Sequence, residues 1–385
     1  MMIVSRIILK NWRNFRNVDV KMGSRVFLVG PNASGKSNFL DVFRFLRDIV
    51  KPGGGLQKAI SDRGGLSKIR CLAARQNPNV DIEVHLSESA GQEAKWKYSL
   101  SIKQQQHGRH LSILGAEKVW HNENKLIQRP DDKDALDEVR LTQTHLEQIN
   151  ANQDFREVNK FFETVLYLHL VPQLLRNPSS FSGPGIAGDP YGRNFLERIA
   201  KTPQKTRISR LKKIGEALRI AVPQLKDLEE TTDNMGIPHL EVTYEHWRAK
   251  GAKQREDQFS DGTLRLLGLL WSILESDSLL LLEEPELSLN GAIVSKLPAL
   301  MYRLQSQKKR QVIVSTHSSD LLTDKGIAGE EVLLLIPNLE GTKIEVASSI
   351  KDIRDLLEGG LSIADAVLPR TRPPKIDQLE MQLFK

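Results

Sequence analysis

The sequence predicts an α/β fold: a mixed sheet that carries a glycine-rich loop between strand and helix, an appended antiparallel β lobe, and a helical insertion before the α/β pattern resumes. Three observations predict it. Residues 25–29 are an apolar run ending directly at a glycine-rich turn, after which apolar residues recur at helical spacing. Residues 80–86 and 95–102 alternate apolar and polar side chains, as half-buried antiparallel strands do. From Phe259 onward, helical stretches alternate with short apolar runs, the pattern of a parallel sheet covered by helices.

Taken in order, residues 3–9 and 18–29 read as strands. After the glycine-rich turn, Phe39, Leu40, Phe43, Leu46, Ile49 and Val50 mark one face of a helix that Pro52 and the glycines at 53–55 stop. Residues 111–120 add a further strand to the lobe. Residues 131–165 turn helical and strongly polar, and residues 177–189 crowd Pro, Gly and Ser into an irregular loop. Residues 201–219 read as a helix with Ile208, Leu211, Ile214 and Leu218 toward a core. Its outer face carries Lys201, Lys205, Arg207, Arg210, Lys212, Lys213 and Arg219 against the single acid Glu216, a surface suited to phosphates or an acidic partner. Residues 239–244 return to strand. The segments LRLLGLLWSILES, SLLLLEE, GAIVSKLPALMYRLQ and RQVIVSTH then alternate helix and strand, residues 331–336 and 343–346 add strands, and KDIRDLLE supplies a last amphipathic helix. The tail from Thr371 has no clear place. Three parts follow: 1–130, 131–236 and 237–385.

Composition narrows the class. In 385 residues, 39% are hydrophobic and 27% charged, enough to bury a core and too apolar for a disordered chain. The formal charge of +7 favours polyanions or acidic partners. A single cysteine, Cys71, excludes an intrachain disulfide and a cysteine-rich metal site, and reads as a buried small hydrophobe of a cytoplasmic protein. The N-terminus breaks its apolar residues with Arg6, Lys10 and Arg13, unlike a signal peptide. No run approaches the roughly 18 apolar residues of a membrane span.

Three segments carry chemistry. Gly30-Pro31-Asn32-Ala33-Ser34-Gly35-Lys36-Ser37 fits G-x-x-x-x-G-K-[ST] and lies between an apolar strand and a helix, where backbone N–H groups can cradle phosphates. Gly30, Asn32, Ala33, Ser34, Gly35, Lys36, Ser37 and Asn38 are the candidate nucleotide-binding residues. Lys36 is expected at the β- and γ-phosphates and the Ser37 hydroxyl on Mg²⁺. The run Leu279-Leu280-Leu281-Leu282 delivers Glu283, Glu284 and Glu286 at a strand end, and two adjacent carboxylates can divide a metal role from a general-base role. A third strand, Val312-Ile313-Val314-Ser315-Thr316, ends in His317, a donor for a γ-phosphate oxygen.

With these three in order, the chain resembles the ABC-type ATPases, and within them the RecF, SMC and OLD group. Asn14-Phe15-Arg16-Asn17 before VGPNASGKSN is similar to RecF-like heads, and Phe259-Ser260-Asp261-Gly262-Thr263-Leu264-Arg265 resembles that group's signature loop. The resemblance implies an ABC-type P-loop ATPase head that binds ATP and Mg²⁺, with Glu283 on the metal, and Glu284, His317 and Lys36 as catalytic residues. It also implies that Ser260 and Gly262 grip the ATP of a second copy, so that two nucleotides are sandwiched in a homodimer or a higher oligomer. Glu283 stands where aspartate is commoner, and Asn290 where relatives often have histidine. The glutamine that senses Mg²⁺ has two candidates, Gln76 and Gln57. The chain shows neither the sustained heptads of an SMC coiled coil nor room after His317 for a Toprim nuclease. It is therefore similar to the ATPase subunits of phage-defence systems that act with a separately encoded, nuclease-like effector. The alternative is a RecF-like repair or replication ATPase that binds DNA directly; a transporter subunit and a non-hydrolysing scaffold are weaker fits.

Overall fold

The apolar runs that flank the glycine-rich loop become one mixed sheet. In the computed structural model, which describes residues 2–74, 78–105, 111–177, 189–245, 252–275, 279–373 and 376–378, the strand order is Gly341–Val346, Val332–Asn338, Arg25–Val29, Val312–Thr316, Leu280–Glu283 and Leu166–Leu168. Neighbours are parallel except for Gly341–Val346, which runs antiparallel to Val332–Asn338.

These runs lack polar alternation because both faces of the sheet are covered. Val26, Leu28, Leu279, Leu281 and Ile313 face a core shared with Phe39, Leu40 and Phe43 of the helix Lys36–Val50. Their alternates Phe27, Val29, Leu280, Leu282, Val312 and Val314 face a second core with Leu264, Leu267 and Trp271 of the helix Asp261–Glu275. The period-2 pleat thus distributes one strand's side chains between two cores.

The lobe is a six-stranded antiparallel sheet ordered Phe15–Lys21, Ile3–Trp12, Val80–Ser87, Trp96–Gln104, Ser112–His121 and Asn124–Arg129. A third, three-stranded sheet joins Ala252–Arg255, Pro238–Tyr244 and Leu225–Thr232. Cys71 is buried, as expected.

Several expectations need correction. The stretch 18–29 is two strands: Phe15–Lys21 belongs to the lobe and Arg25–Val29 to the central sheet. The hairpin strand Asn124–Arg129 was not foreseen, because most of this edge strand is exposed and shows no alternation. Residues 131–165 are not one helical stretch. They hold the helices Asp132–Leu136 and Arg156–Glu163 with 3-10 turns at Glu138–Thr142 and Gln153–Phe155, wrapped around a buried ionic centre in which Arg129 binds Asp134 and Glu117. The segment 131–236 is likewise not helical throughout, since Leu166–Leu168 is the edge strand of the central sheet.

Residues 201–219 fall in two helices, Phe195–Lys201 and Gln204–Ala221, divided at Pro203. Leu211, Ile214 and Leu218 are buried, but Ile208 is 58% exposed. The stripe continues one turn back to Arg207, whose guanidinium lies 3.2 Å from Glu230, so the position four residues before Leu211 is inward and Ile208 is not. Gln76, most of 177–189 and the end of the tail lie outside the described residues. Among the described residues, no helix is long and apolar enough to cross a membrane.

Candidate nucleotide site

Parallel register places the ends of three strands side by side. Val29 lies opposite Thr316, and Ser315 opposite Glu283, so the glycine-rich loop, the acids and His317 emerge from one edge of the sheet. That edge is where open α/β sheets hold ligands.

The loop curls because Ala33 (φ 62°) and Gly35 (φ 97°) adopt left-handed backbone, a conformation that lets successive N–H groups face one concavity. A Cβ at 35 would run into the Asn14 side chain. Asn14 straps the loop: its Nδ2 donates to the Ser34 carbonyl and to the Thr342 hydroxyl, each at 2.8 Å, and its backbone carbonyl accepts from Thr342 N–H at 2.7 Å. The Asn38 amide is spent on Asn14 Oδ1 at 2.8 Å, so Asn38 braces the strap. The Ser34 hydroxyl is buried without a partner. Lys36 is almost buried, and its ammonium donates to the carbonyls of Gly30 at 2.9 Å and Pro31 at 3.2 Å. Burial lowers its pKa, while the charges of Glu284, Glu283 and Glu286 oppose that shift.

Ser37 lies in the first turn of the helix Lys36–Val50, and its hydroxyl lies 2.5 Å from Glu283 Oε1. The other oxygen of Glu283 accepts a hydrogen bond from the Tyr167 hydroxyl. The Arg44 guanidinium sits 4.2 Å from the centroid of the Tyr167 ring. Burial, then the neighbouring charge of Glu283, pushes the Tyr167 phenol well above its usual pKa. His169 Nδ1 lies 3.3 Å from the Glu283 carbonyl. A serine hydroxyl and a carboxylate oxygen in contact are the hard donors that Mg²⁺ takes alongside phosphate and water, so these residues fit that ion.

Glu284 has φ 44°, and its N–H donates to the Ser315 carbonyl at 3.0 Å. This left-handed turn sends its carboxylate away from that of Glu283, to 3.2 Å from His317 Nδ1. Glu286, given no role from sequence, is buried: one oxygen accepts from the Thr316 hydroxyl at 2.6 Å and the His317 N–H at 3.3 Å, and the other has no partner. Burial pushes its pKa up. It anchors the turn that presents His317.

Ser260 and Gly262 lie at the N-terminal end of the helix Asp261–Glu275, against the turn that follows the acids. The Ser260 hydroxyl caps the helix Asp261–Glu275, accepting from Thr263 N–H at 3.1 Å. Arg176 holds Asp261 at 2.7 Å. A Cβ at Gly262 would meet the Ser288 carbonyl oxygen at 2.6 Å, so only glycine fits against the turn after the acids. None of these contacts reaches residues 30–38. Gln57 donates to the carbonyls of Ser112 and Thr142, both at 2.8 Å, within the lobe. Asn290 caps the short helix Gly291–Val294.

On the basic segment, Arg207 turns to Glu230, Arg210 donates to the Glu275 carbonyl and covers the Trp271 ring, and Arg219 donates to the Leu225 carbonyl. Lys205, Lys212 and Lys213 stay exposed. Sequence reasoning missed Tyr167, His169 and Glu286 as parts of the site. The Asn14 motif and the Glu-Glu-Pro-Glu run were the only signals available for two of the contacts, and nothing marked the three-residue strand of Tyr167.

A family model described as "AAA domain, putative AbiEii toxin, Type IV TA system" matches residues 25–324. No curated protein matches the sequence. Among solved structures, the chain is similar to the Smc head domain with an extended coiled coil bound to the C-terminal domain of ScpA from Pyrococcus furiosus, with TM-score 0.51, 14% identity, and coverage of 94% of this chain and 100% of that one. It is also similar to an SmcHead bound to the C-winged helix domain of ScpA, with TM-score 0.50, 15% identity, and coverage of 89% and 96%. The Smc head domain with a coiled coil and joint from Pyrococcus yayanosii has TM-score 0.50, 12% identity, and coverage of 94% and 100%. At these identities the likeness is one of fold.

Proposed function

The chain belongs to this family of AAA domains and has the fold of the SMC heads, ABC-type P-loop ATPases of the RecF and SMC group, and from that premise we propose that it binds and hydrolyses ATP at a site completed by a second copy of itself. One observation carries the reading: Lys36, the Ser37–Glu283 pair and the Glu284–His317 pair converge on one sheet edge.

The loop N–H groups bind phosphate oxygens, and Lys36 exchanges its two loop carbonyls for the β- and γ-phosphates. Ser37 and Glu283 would hold Mg²⁺, which would offset the phosphate charge. Glu284 orients a water and takes its proton as an oxygen–phosphorus bond forms on the γ-phosphate and the bond to the β-bridging oxygen breaks. His317, held by Glu286, donates to the γ-phosphate and keeps Glu284 aimed. Ser260 and Gly262 serve the nucleotide of the partner copy, because their own chain keeps them away from its loop. ATP then joins two copies and hydrolysis releases them.

In its biological role we read the protein as a sensor or assembly platform in anti-phage defence that works with a separate, nuclease-like effector. The family's toxin description and the separate ScpA domains seated on the similar SMC heads support such a division of labour. Exposed Lys205, Lys212 and Lys213 favour the second reading, an ATPase that grips DNA directly. The test of hydrolysis is Glu284→Gln, which removes the base and keeps the shape. Phosphate release is expected to fall by about 10²- to 10⁴-fold with ATP binding retained; unchanged release contradicts the enzyme reading.

A further inference from the structure

We propose that Tyr167 is a positioning residue for the metal-binding carboxylate, fixing Glu283 so that one chosen oxygen is presented beside Ser37. The proposal rests on the ATPase reading above and adds a residue that the motifs do not contain. Glutamate at 283 carries one methylene more than aspartate and therefore an extra torsion, which must be restrained before its oxygen has a defined place. The structure restrains it from both ends. Oε1 lies 2.5 Å from the Ser37 hydroxyl, and Oε2 accepts from the Tyr167 hydroxyl. The oxygen facing Ser37 is thus the one offered to the metal, and the other is committed to the phenol.

Tyr167 is itself held in place. Its backbone pairs in parallel register with Leu281, its side chain is 3% exposed, and the Arg44 guanidinium lies over the ring at 4.2 Å. Arg44 belongs to the same helix as Ser37. Helix, edge strand and acid therefore close a ring of contacts: Ser37 to Glu283, Glu283 to Tyr167, Tyr167 to Arg44, and back along the helix. Partners of a ligating carboxylate set its orientation in this way, and their loss weakens the metal rather than the rest of the site.

Tyr167→Phe removes only the hydroxyl and keeps the ring under Arg44. Binding of a non-hydrolysable ATP analogue to the full chain would be measured in EDTA and then across a Mg²⁺ titration. The expected result is unchanged binding in EDTA together with a rise of about 10- to 100-fold in the Mg²⁺ concentration that gives half the metal-dependent gain. In a Glu283→Ala background the same change should add nothing. A Mg²⁺ response equal to wild type overturns the role of Tyr167, and so does an equal loss of binding with and without metal, which marks a merely structural residue. A wild-type chain that binds no nucleotide in either condition overturns the ATPase reading and this proposal together.

Discussion

Asn14 shows how a single side chain can hold a binding loop whose backbone it does not share. It lies twenty positions from Ser34 and more than three hundred from Thr342, and it bonds to both. Each bond is worth about 1 kcal/mol net, and a partner left buried and unpaired costs about 1–3 kcal/mol. Asn14→Ala should accordingly weaken ATP binding by roughly tenfold, since 1.4 kcal/mol is one decade of affinity, while the helices and the central sheet stay folded. Calorimetric titration with the analogue, beside a circular-dichroism melt, checks both halves; undiminished affinity would show that the loop keeps its shape unaided. The sequence displayed Asn14 only as part of a family-like tetrapeptide. Its partners are far along the chain, and no local periodicity reveals such a contact. Tyr167 was hidden for a different reason: a three-residue strand is too short to carry a pattern. The loop, the acids and His317 were legible because each follows an apolar run that can only be a buried strand, and parallel register then brings the run ends together.

Among the elements, the antiparallel lobe owes part of its integrity to an ionic centre with no access to water. Arg129 is 1% exposed and bonds to Asp134 through both Nε and Nη2, to Glu117, and to the carbonyls of Arg140 and Gln143. Glu117 also accepts from the N–H groups of His145 and Leu146 and from the Tyr98 hydroxyl. This cluster joins the strand Ser112–His121 to the irregular chain after it, where sequence suggested a regular helix. Polar residues there suit a helix surface and a buried network equally, so pattern alone could not separate them. Arg129→Met leaves the buried Glu117 without its cation and Asp134 with Arg140 alone, whose Nε lies 3.3 Å away, and urea unfolding should report a loss of about 3–5 kcal/mol. A loss below 1 kcal/mol would mean the network contributes little. Its hydrogen bond to Arg129 lowers the Asp134 carboxyl from 3.8 to about 2. A depressed carboxyl stabilises the fold above the unfolded value, so this contribution should fade as pH falls from about 4 toward 2.

At the scale of the whole molecule, the two loops that the proposed shared site would draw from different copies are separated by the fold itself. The glycine-rich loop follows Arg25–Val29, whereas the Ser260 loop packs on the turn after Leu280–Glu283, two strands away in the sheet order. The α/β class and the order of the motifs were legible from sequence because both depend on short-range pattern. The extent of the insertion was not, since Leu166–Leu168 returns to the central sheet from within it. The measurement that tests the shared site most directly is subunit complementation. Lys36→Ala disables the loop of one copy; Ser260→Asp keeps the helix cap, because aspartate caps as well as serine, and sets a negative charge against the partner's phosphate. Each variant alone should release little phosphate. Mixed in equal amounts, they should recover on the order of a quarter of the wild-type rate, since half of the two-fold pairs would hold one intact site of two. A Ser260→Asp chain that hydrolyses ATP unaided at the wild-type rate, or a mixture no more active than its parts, would contradict the account.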